Sequence, residues 1–79
     1  MADTKPSIEF TRFDPVDWED HLHGLEIAID GTSAIVLIWD EQIDRYRVSI
    51  GYDQPFSIEM ELDDFVEVIN TGKRLLRQA

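Results

Sequence analysis

The sequence predicts an α+β fold: an antiparallel four-stranded, possibly five-stranded, meander sheet with one C-terminal helix packed across one face. Apolar and polar residues alternate through several short segments separated by turn residues, as in half-buried strands. From residue 63 onward the apolar period changes from two to about 3.6, the period of an amphipathic helix. The 79 residues suffice for a single domain, predicted over 8–79 after a flexible tail at 1–7.

The predicted strands share strand-forming composition and at least partial alternation. They cover residues 8–13 (a short strand), 25–29, 34–39, 45–52 and 56–62. Between the first two, residues 14–24 begin with Asp14-Pro15, which predicts either a short helical turn or a loop. Asp30-Gly31 supplies the residues of a tight hairpin turn.

The helix is predicted to begin at Asp63 or Asp64, since a carboxylate there caps the helix and favours its dipole. One apolar stripe at helical spacing contains Phe65, Val68, Ile69, Gly72, Leu75 and Leu76. Gly72 is typical either of a helix stop or of close packing on a sheet. We expect a continuous helix because the stripe resumes in phase at Leu75.

The segment 34–39 is apolar on both faces, unlike the other strands. The two faces carry Ala34, Val36 and Ile38 on one side and Ile35, Leu37 and Trp39 on the other. If the first set faces the helix, the second forms an apolar stripe on the opposite face. Such a stripe is usually covered. The candidates for covering it are the N-terminal segment, through Phe10, Phe13 and Trp18, or a partner protein or second copy. The latter predicts a homodimer or adaptor interface centred on Trp39.

The composition argues against several function classes. Seventeen Asp and Glu against seven Lys and Arg give a net charge of −10, which repels phosphates and anionic lipids. Direct binding to nucleic acid or membrane is therefore not expected. With no Cys, the chain has neither a thiolate nucleophile nor a sulfur-based zinc site. Neither a secretory signal nor a membrane-length apolar run is present, so a cytoplasmic location is expected.

The carboxylates are segregated along the chain. Residues 13–44 and 53–67 contain no Lys or Arg. This pattern predicts an acidic surface that imitates a phosphate backbone and binds the basic, nucleic-acid-facing site of a partner protein. The predicted partner-binding residues are Asp17, Glu19, Asp20, Asp40, Glu41, Asp44, Glu59, Glu61, Asp63 and Asp64. Glu59, Glu61 and Asp63 would form a row on one strand face. The alternative is that the acids serve solubility alone.

In size and charge the chain resembles small acidic inhibitors made by phages and mobile elements, such as uracil-glycosylase inhibitors, anti-restriction proteins and anti-CRISPR proteins. The resemblance covers the whole chain, rests on no motif and transfers no residue roles. It implies a counter-defence inhibitor acting in the host cytoplasm. The order of strands followed by one helix also resembles single-strand-DNA-binding transcriptional coactivators, which use basic, aromatic strands. Arg45, Tyr46 and Arg47 form the one such cluster here.

His21 and His23 are the residues that suggest a metal site, since His-x-His on a strand places both rings on one face. The alternative is two surface imidazoles in an acidic loop. Ser33, Ser49 and Ser57 lack the glycine-flanked turn that activates a nucleophilic serine, and no phosphate-binding glycine loop is present. We therefore expect neither an enzyme nor a bound cofactor.

Overall fold

The computed structural model describes residues 6–14, 17–51 and 59–78. In these residues four strands form one antiparallel sheet in chain order: β1 (Ile8–Phe13), β2 (Leu22–Ile29), β3 (Thr32–Asp40) and β4 (Arg45–Ile50). One helix, α1 (Leu62–Arg77), packs across one face, which confirms the predicted α+β fold.

The strand predicted over 56–62 is only partly covered by the description, since residues 52–58 lie outside it. Residues 59–61 are not in a strand, and Leu62 is the first residue of α1. The short strand predicted over 8–13 is present as β1. β2 begins at Leu22, so the turn region before it ends earlier than predicted.

The turn between β2 and β3 has the predicted geometry. Asp30 and Gly31 have φ angles of 51° and 81°, and two positive angles are what a two-residue type I′ hairpin requires. The backbone N–H of Ser7 donates to Oδ1 of Asp30 at 2.9 Å, and the N–H of Asp30 donates to the Ser7 carbonyl at 2.8 Å. This pair of bonds fixes the chain before β1 to the turn.

A β-bulge follows this turn and decides which way the later side chains of β3 point. Ser33 lies opposite Ala28 in the register of β2 and β3. Two residues further along β3, Ile35 lies opposite Ile27, the immediate neighbour of Ala28. Ala34 is therefore an extra residue in β3. Because successive side chains alternate between faces, one extra residue moves all later ones to the other face.

The core between the sheet and α1 contains Ile35 and Leu37, which the sequence analysis predicted on the face away from the helix. Ile35 and Leu37 are each 3% exposed, and Trp39 packs partly buried against them. The buried cluster comprises Leu25, Ile27, Ile29, Ile35, Leu37, Val68 and Leu76. The prediction that Ile35, Leu37 and Trp39 form a stripe on the uncovered face is therefore wrong. The bulge turns them toward α1.

The outer face of the sheet carries Val36 and Ile38 instead. Ile38 is half-buried, and Val36 is 6% exposed between its register neighbours Glu26 and Ser49. Neither belongs to the core cluster. Phe10, predicted as a cover for this face, packs against the core on the helix side.

The helix is continuous through Gly72, as predicted, but it begins earlier than predicted. Its N-cap residue is Glu61, and Asp63 and Asp64 lie in the first turn. Gly72 is buried where α1 crosses the sheet, and a Cβ there would lie 3.1 Å from Cδ2 of Leu37. Gly72 therefore allows the helix to approach the sheet closely. Within the described residues, no helix is long and apolar enough to cross a membrane.

Candidate protein-binding surface

Two loops bring carboxylates together at one end of the sheet. Leu22 lies opposite Asp40 in the register, so residues 17–21 before β2 run beside the turn after β3. The backbone N–H of Glu41 donates to the carbonyl of His21 at 2.8 Å and ties the two loops. The grouped acids are Asp17, Glu19, Asp20, Asp40, Glu41 and Asp44.

Five of these six acids are exposed, and four of the five form the surface that we call the acidic end: Asp17, Glu19, Asp20 and Glu41. The Glu19 side chain is 77% exposed and that of Glu41 is 58% exposed. Within the described part of the chain, none of the four forms an ion pair with Lys or Arg. No Lys or Arg side chain among the described residues therefore compensates their charge.

The other two acids at this end serve the fold. Asp40 is 20% exposed in its side chain, and its Oδ1 accepts the backbone N–H of Gln42 at 3.0 Å. Asp44 accepts the indole N–H of Trp39 and a guanidinium N–H of Arg77, each at 3.0 Å. Both carboxylates thus hold the β3–β4 turn and are not part of the acidic end.

The remaining predicted acids lie at the opposite end of the molecule, around the start of α1. Glu59, Glu61 and Asp63 are exposed there, and Asp64 is half-buried. The 16 residues of α1 place this end about 24 Å from the acidic end. The ten predicted acids therefore do not form one continuous surface. The strand row of Glu59, Glu61 and Asp63 is wrong as well, because Asp63 is helical and residues 59–61 are not in a strand.

Beside the acidic end, an aromatic cluster fastens α1 to the sheet. It follows one row across three strands: the rings of His23 and Trp39 lie 5.3 Å apart, and those of Trp39 and Tyr46 stack at 6.2 Å. Two helix cations cover the row, with Lys73 Nζ 4.9 Å from the Tyr46 ring and Arg77 Cζ 5.2 Å from the Trp39 ring. Trp39 is therefore a contact between α1 and the sheet rather than an exposed hot spot.

Asp44 gives this cluster a pH dependence. The hydrogen bond from Trp39, followed by the charge of Arg77, lowers the pKa of the Asp44 carboxyl below its usual value. A carboxyl with a depressed pKa in the folded state stabilises the fold above its unfolded pKa, and this stabilisation is lost as the pH falls through the folded value. The loss therefore falls below about pH 4.

We expect acidification to lower the stability of the wild type more than that of Asp44→Asn, which lacks the ionisable group. The φ of Asp44 is 50°, and asparagine tolerates this left-handed conformation equally well. Urea unfolding of both proteins at pH 7 and at about pH 2.5 measures the difference. An unchanged gap between their midpoints at the two pH values would contradict the assignment.

The two histidines face different neighbours. His21 Nδ1 lies 3.5 Å from Glu19 and its Nε2 lies 3.9 Å from Asp40, whereas His23 Nε2 lies 3.4 Å from Glu41. Among the described residues, no group of three or more His, Asp or Glu side chains has the arrangement of a metal site. Each imidazole instead lies beside loop carboxylates.

Arg45, Tyr46 and Arg47, the cluster that resembles the basic aromatic strands of single-strand-DNA-binding coactivators, are divided between the two faces of β4. Tyr46 is opposite Trp39 on the helix side, and Arg47 is opposite Ile38 on the outer face. Arg45, opposite Asp40, shares the outer face with Arg47. No surface therefore presents the ring together with both arginines.

Sequence reasoning missed the role of Arg12. Its Nη1 donates to the carbonyl of Leu75 at 2.9 Å and also to that of Gln78, at the C-terminal end of α1. The Leu75 carbonyl also accepts the backbone N–H of the C-cap residue Gln78 at 3.2 Å, and a cation at this end of the helix favours the helix dipole. The signal was available: Arg12 shares the period-two face of Ile8 and Phe10, which marks it as pointing toward the helix.

Comparison of the chain with protein-family models, with curated proteins and with solved structures found no significant match.

Proposed function

We propose that this chain is a small, non-catalytic protein-binding module whose acidic end binds a basic surface of a partner protein. The observation that carries the proposal is the acidic end itself: four exposed carboxylates on two adjoining loops, without Lys or Arg partners among the described residues. Isolated acids are usual on a surface. A local group of uncompensated charges attracts an oppositely charged partner and raises its association rate.

The chemistry of the partner follows from the net charge of −10. A chain with this charge is repelled by DNA, RNA and anionic lipid, so the matching surface is one rich in Lys and Arg. Such surfaces are typical of sites that hold a nucleic-acid backbone. We therefore infer that the chain competes with nucleic acid for a basic site, as an inhibitor or regulator of the phage or mobile-element type would.

In this proposal the acidic end, rather than a row of acids along a strand, imitates the phosphate backbone of a nucleic acid. Glu19 lies 3.5 Å from the ring of His21, and Glu41 lies 3.4 Å from the ring of His23. Asp17 and Asp20 have no such neighbour in the described structure. The negative charge available to a partner is therefore concentrated on the loop before β2.

The test is displacement of a fluorescent DNA duplex from a non-specific, lysine-rich DNA-binding protein. We expect the wild type to displace the duplex at about 50 mM salt and to lose most of this activity by about 200 mM, because salt screens exposed charges. The triple variant Asp17→Lys, Glu19→Lys and Asp20→Lys should lose at least tenfold in displacement at the lower salt concentration.

A matched control separates the local surface from the net charge. Glu9→Lys, Glu59→Lys and Glu61→Lys together also raise the net charge from −10 to −4, but all three positions lie away from the acidic end. This control should retain most of the displacement. Equal losses in the two triple variants would contradict a specific surface, and displacement that is insensitive to salt would contradict an electrostatic one.

A further inference from the structure

The outward face of α1 carries two groups of opposite charge. Asp63 and Glu67 lie in its first half, and Arg74 and Arg77 lie in its last turn. All four side chains are exposed, and the exposed Asn70 lies midway between the two groups. At about 3.6 residues per turn, these five positions fall on the side of the helix opposite its buried residues.

The two groups of charge are not positioned to pair within α1. Opposite charges on a helix pair at a spacing of three or four residues, whereas Glu67 and Arg74 are seven positions apart. At the shorter spacings, Asp63 is beside Glu67 and Arg74 is beside Arg77. Within the described part of the chain, Asp63, Glu67 and Arg74 form no ion pair. Arg77 pairs with Asp44, but its side chain is still 52% exposed. The helix dipole favours acids at the start of α1 and cations at its end, yet it leaves like charges side by side.

An antiparallel second copy of the same helix matches both groups at once. With a two-fold axis at Asn70, Asp63 faces Arg77 of the second copy, and Glu67 faces Arg74 of the second copy. Symmetry repeats each contact, so the charges of both copies are matched. The two helix dipoles are also opposed. A parallel arrangement would place each group of charge against itself, which costs free energy.

Two exposed apolar residues lie beside this row of charges. Leu62 is 72% exposed and Val66 is 47% exposed. In the same register, Leu62 lies beside the aliphatic stem of Arg77 of the second copy, and Val66 lies beside that of Lys73. Pairing of the helices therefore removes apolar surface from water as well as matching charges.

The net charge of −10 does not prevent this contact, because α1 itself is neutral. The helix contains three acids and three cations. The acidic end lies near the last turn of α1, where Arg77 bonds Asp44. In the antiparallel pair the two acidic ends are therefore about 21 Å apart along the helix axis. This distance is more than twice the Debye length of about 8 Å at physiological salt, so their repulsion is largely screened.

We propose that two copies of this chain associate through the outward faces of α1, antiparallel and about a two-fold axis at Asn70. The helices form the layer between the two sheets. Because one helix contact is small for a protein interface, we expect a dissociation constant on the order of 0.1 mM. The chain is then monomeric at the micromolar concentrations used in unfolding experiments. The acidic end lies outside this interface, so each copy keeps it exposed, and the association does not depend on the proposed partner.

Exchange of one charge pair tests the proposal by sedimentation equilibrium at about 150 mM salt. The wild type should show a concentration-dependent monomer–dimer equilibrium. Glu67→Arg and Arg74→Glu should each weaken it about tenfold or more, because each variant opposes like charges across the axis. The double variant, Glu67→Arg with Arg74→Glu, should restore the wild-type dissociation constant to within about threefold. It has the same net charge as the wild type, and its opposed residues again carry opposite charges.

Glu9→Arg is the matched control for Glu67→Arg. Both variants change the net charge from −10 to −8, but Glu9 is an exposed residue of β1, away from α1. The control should not weaken the dimer. If overall repulsion alone governed association, both variants would strengthen it equally, and that result would overturn the proposal. A wild type that stays monomeric up to about 1 mM would overturn it too and would leave the segregated charges to the helix dipole.

A single-cysteine experiment tests the register, since the chain contains no Cys. In Asn70→Cys the two thiols face each other across the axis, within reach of a disulfide. Leu62→Cys is the control, because its two copies lie about 24 Å apart along the helix axis in the proposed register. Under mild oxidation, Asn70→Cys should form a covalent dimer about tenfold faster or more. Equal rates for the two variants would overturn the proposed pairing.

Discussion

Replacing Leu37 by alanine is expected to lower the free energy of unfolding by about 3 kcal/mol, whereas Ile38→Ala should cost about 1 kcal/mol or less. Leu37 is 3% exposed and belongs to the core cluster beneath α1, so its removal leaves a cavity. Ile38 is half-buried on the outer face and lies outside that cluster. The two residues are adjacent in β3 and similar in volume, so each is the control for the other.

Urea unfolding of both variants at pH 7, followed by circular dichroism, measures the two losses. The comparison tests the bulge at Ala34 directly, because a β3 strand without the extra residue would place Ile38 in the core and Leu37 outside it. Equal losses, or a larger loss for Ile38→Ala, would contradict the described register.

Replacing Gly72 by valine is expected to destabilise the protein by about 2 kcal/mol or more. A Cβ at this position would lie 3.1 Å from Cδ2 of Leu37 and 3.2 Å from Cδ2 of Leu25, so the larger side chain forces α1 away from the sheet. Gly72→Ala should be close to neutral. The helix gains about 1 kcal/mol when glycine is replaced by alanine, and this gain offsets small shifts of the two leucines.

Thermal and urea unfolding of both Gly72 variants measure these effects, with Asn70→Val as the control. Asn70 is exposed on the same helix, so valine there changes helix propensity without altering the packing. If Gly72→Val were no more destabilising than Asn70→Val, the close contact between helix and sheet would not be as described.

Much of the fold was predictable because local patterns and tertiary structure agree. Alternation in residues 25–29, the Asp30-Gly31 turn and the helical stripe through Gly72 each correspond to an observed element. The predicted inward face of β2 is confirmed for the same reason, since Leu25, Ile27 and Ile29 are all buried. In these segments a single period specifies both the type of element and its buried face.

The inward face of β3 was not predictable from the period. Residues 34–39 are apolar on both faces, so alternation does not distinguish Leu37 from Ile38. The extra residue that decides between them is Ala34. Glycine or proline would have marked an irregularity in the strand, whereas alanine does not. The bulge is visible only in the pairing with β2.

The candidate site was predictable in composition but not in extent. Asp17, Glu19, Asp20 and Glu41 were predicted as partner-binding acids; all four are exposed, and the sheet register brings their two loops together. Their role in partner binding stays a prediction. Glu59, Glu61 and Asp63 were assigned to a strand face because apolar residues alternate around them. The helix begins at Leu62, which interrupts that alternation and places these acids at the other end of the molecule.

The order of the strands in the sheet has a consequence for how quickly the chain reaches its native state. Each of the four described strands pairs with its neighbours in sequence, and the β2–β3 connection is two residues long. Closing such short loops loses little chain entropy, so the sheet can assemble by successive addition from the central hairpin. Docking of α1 requires contacts between residues much farther apart in the chain, so we expect it to be the last step of folding.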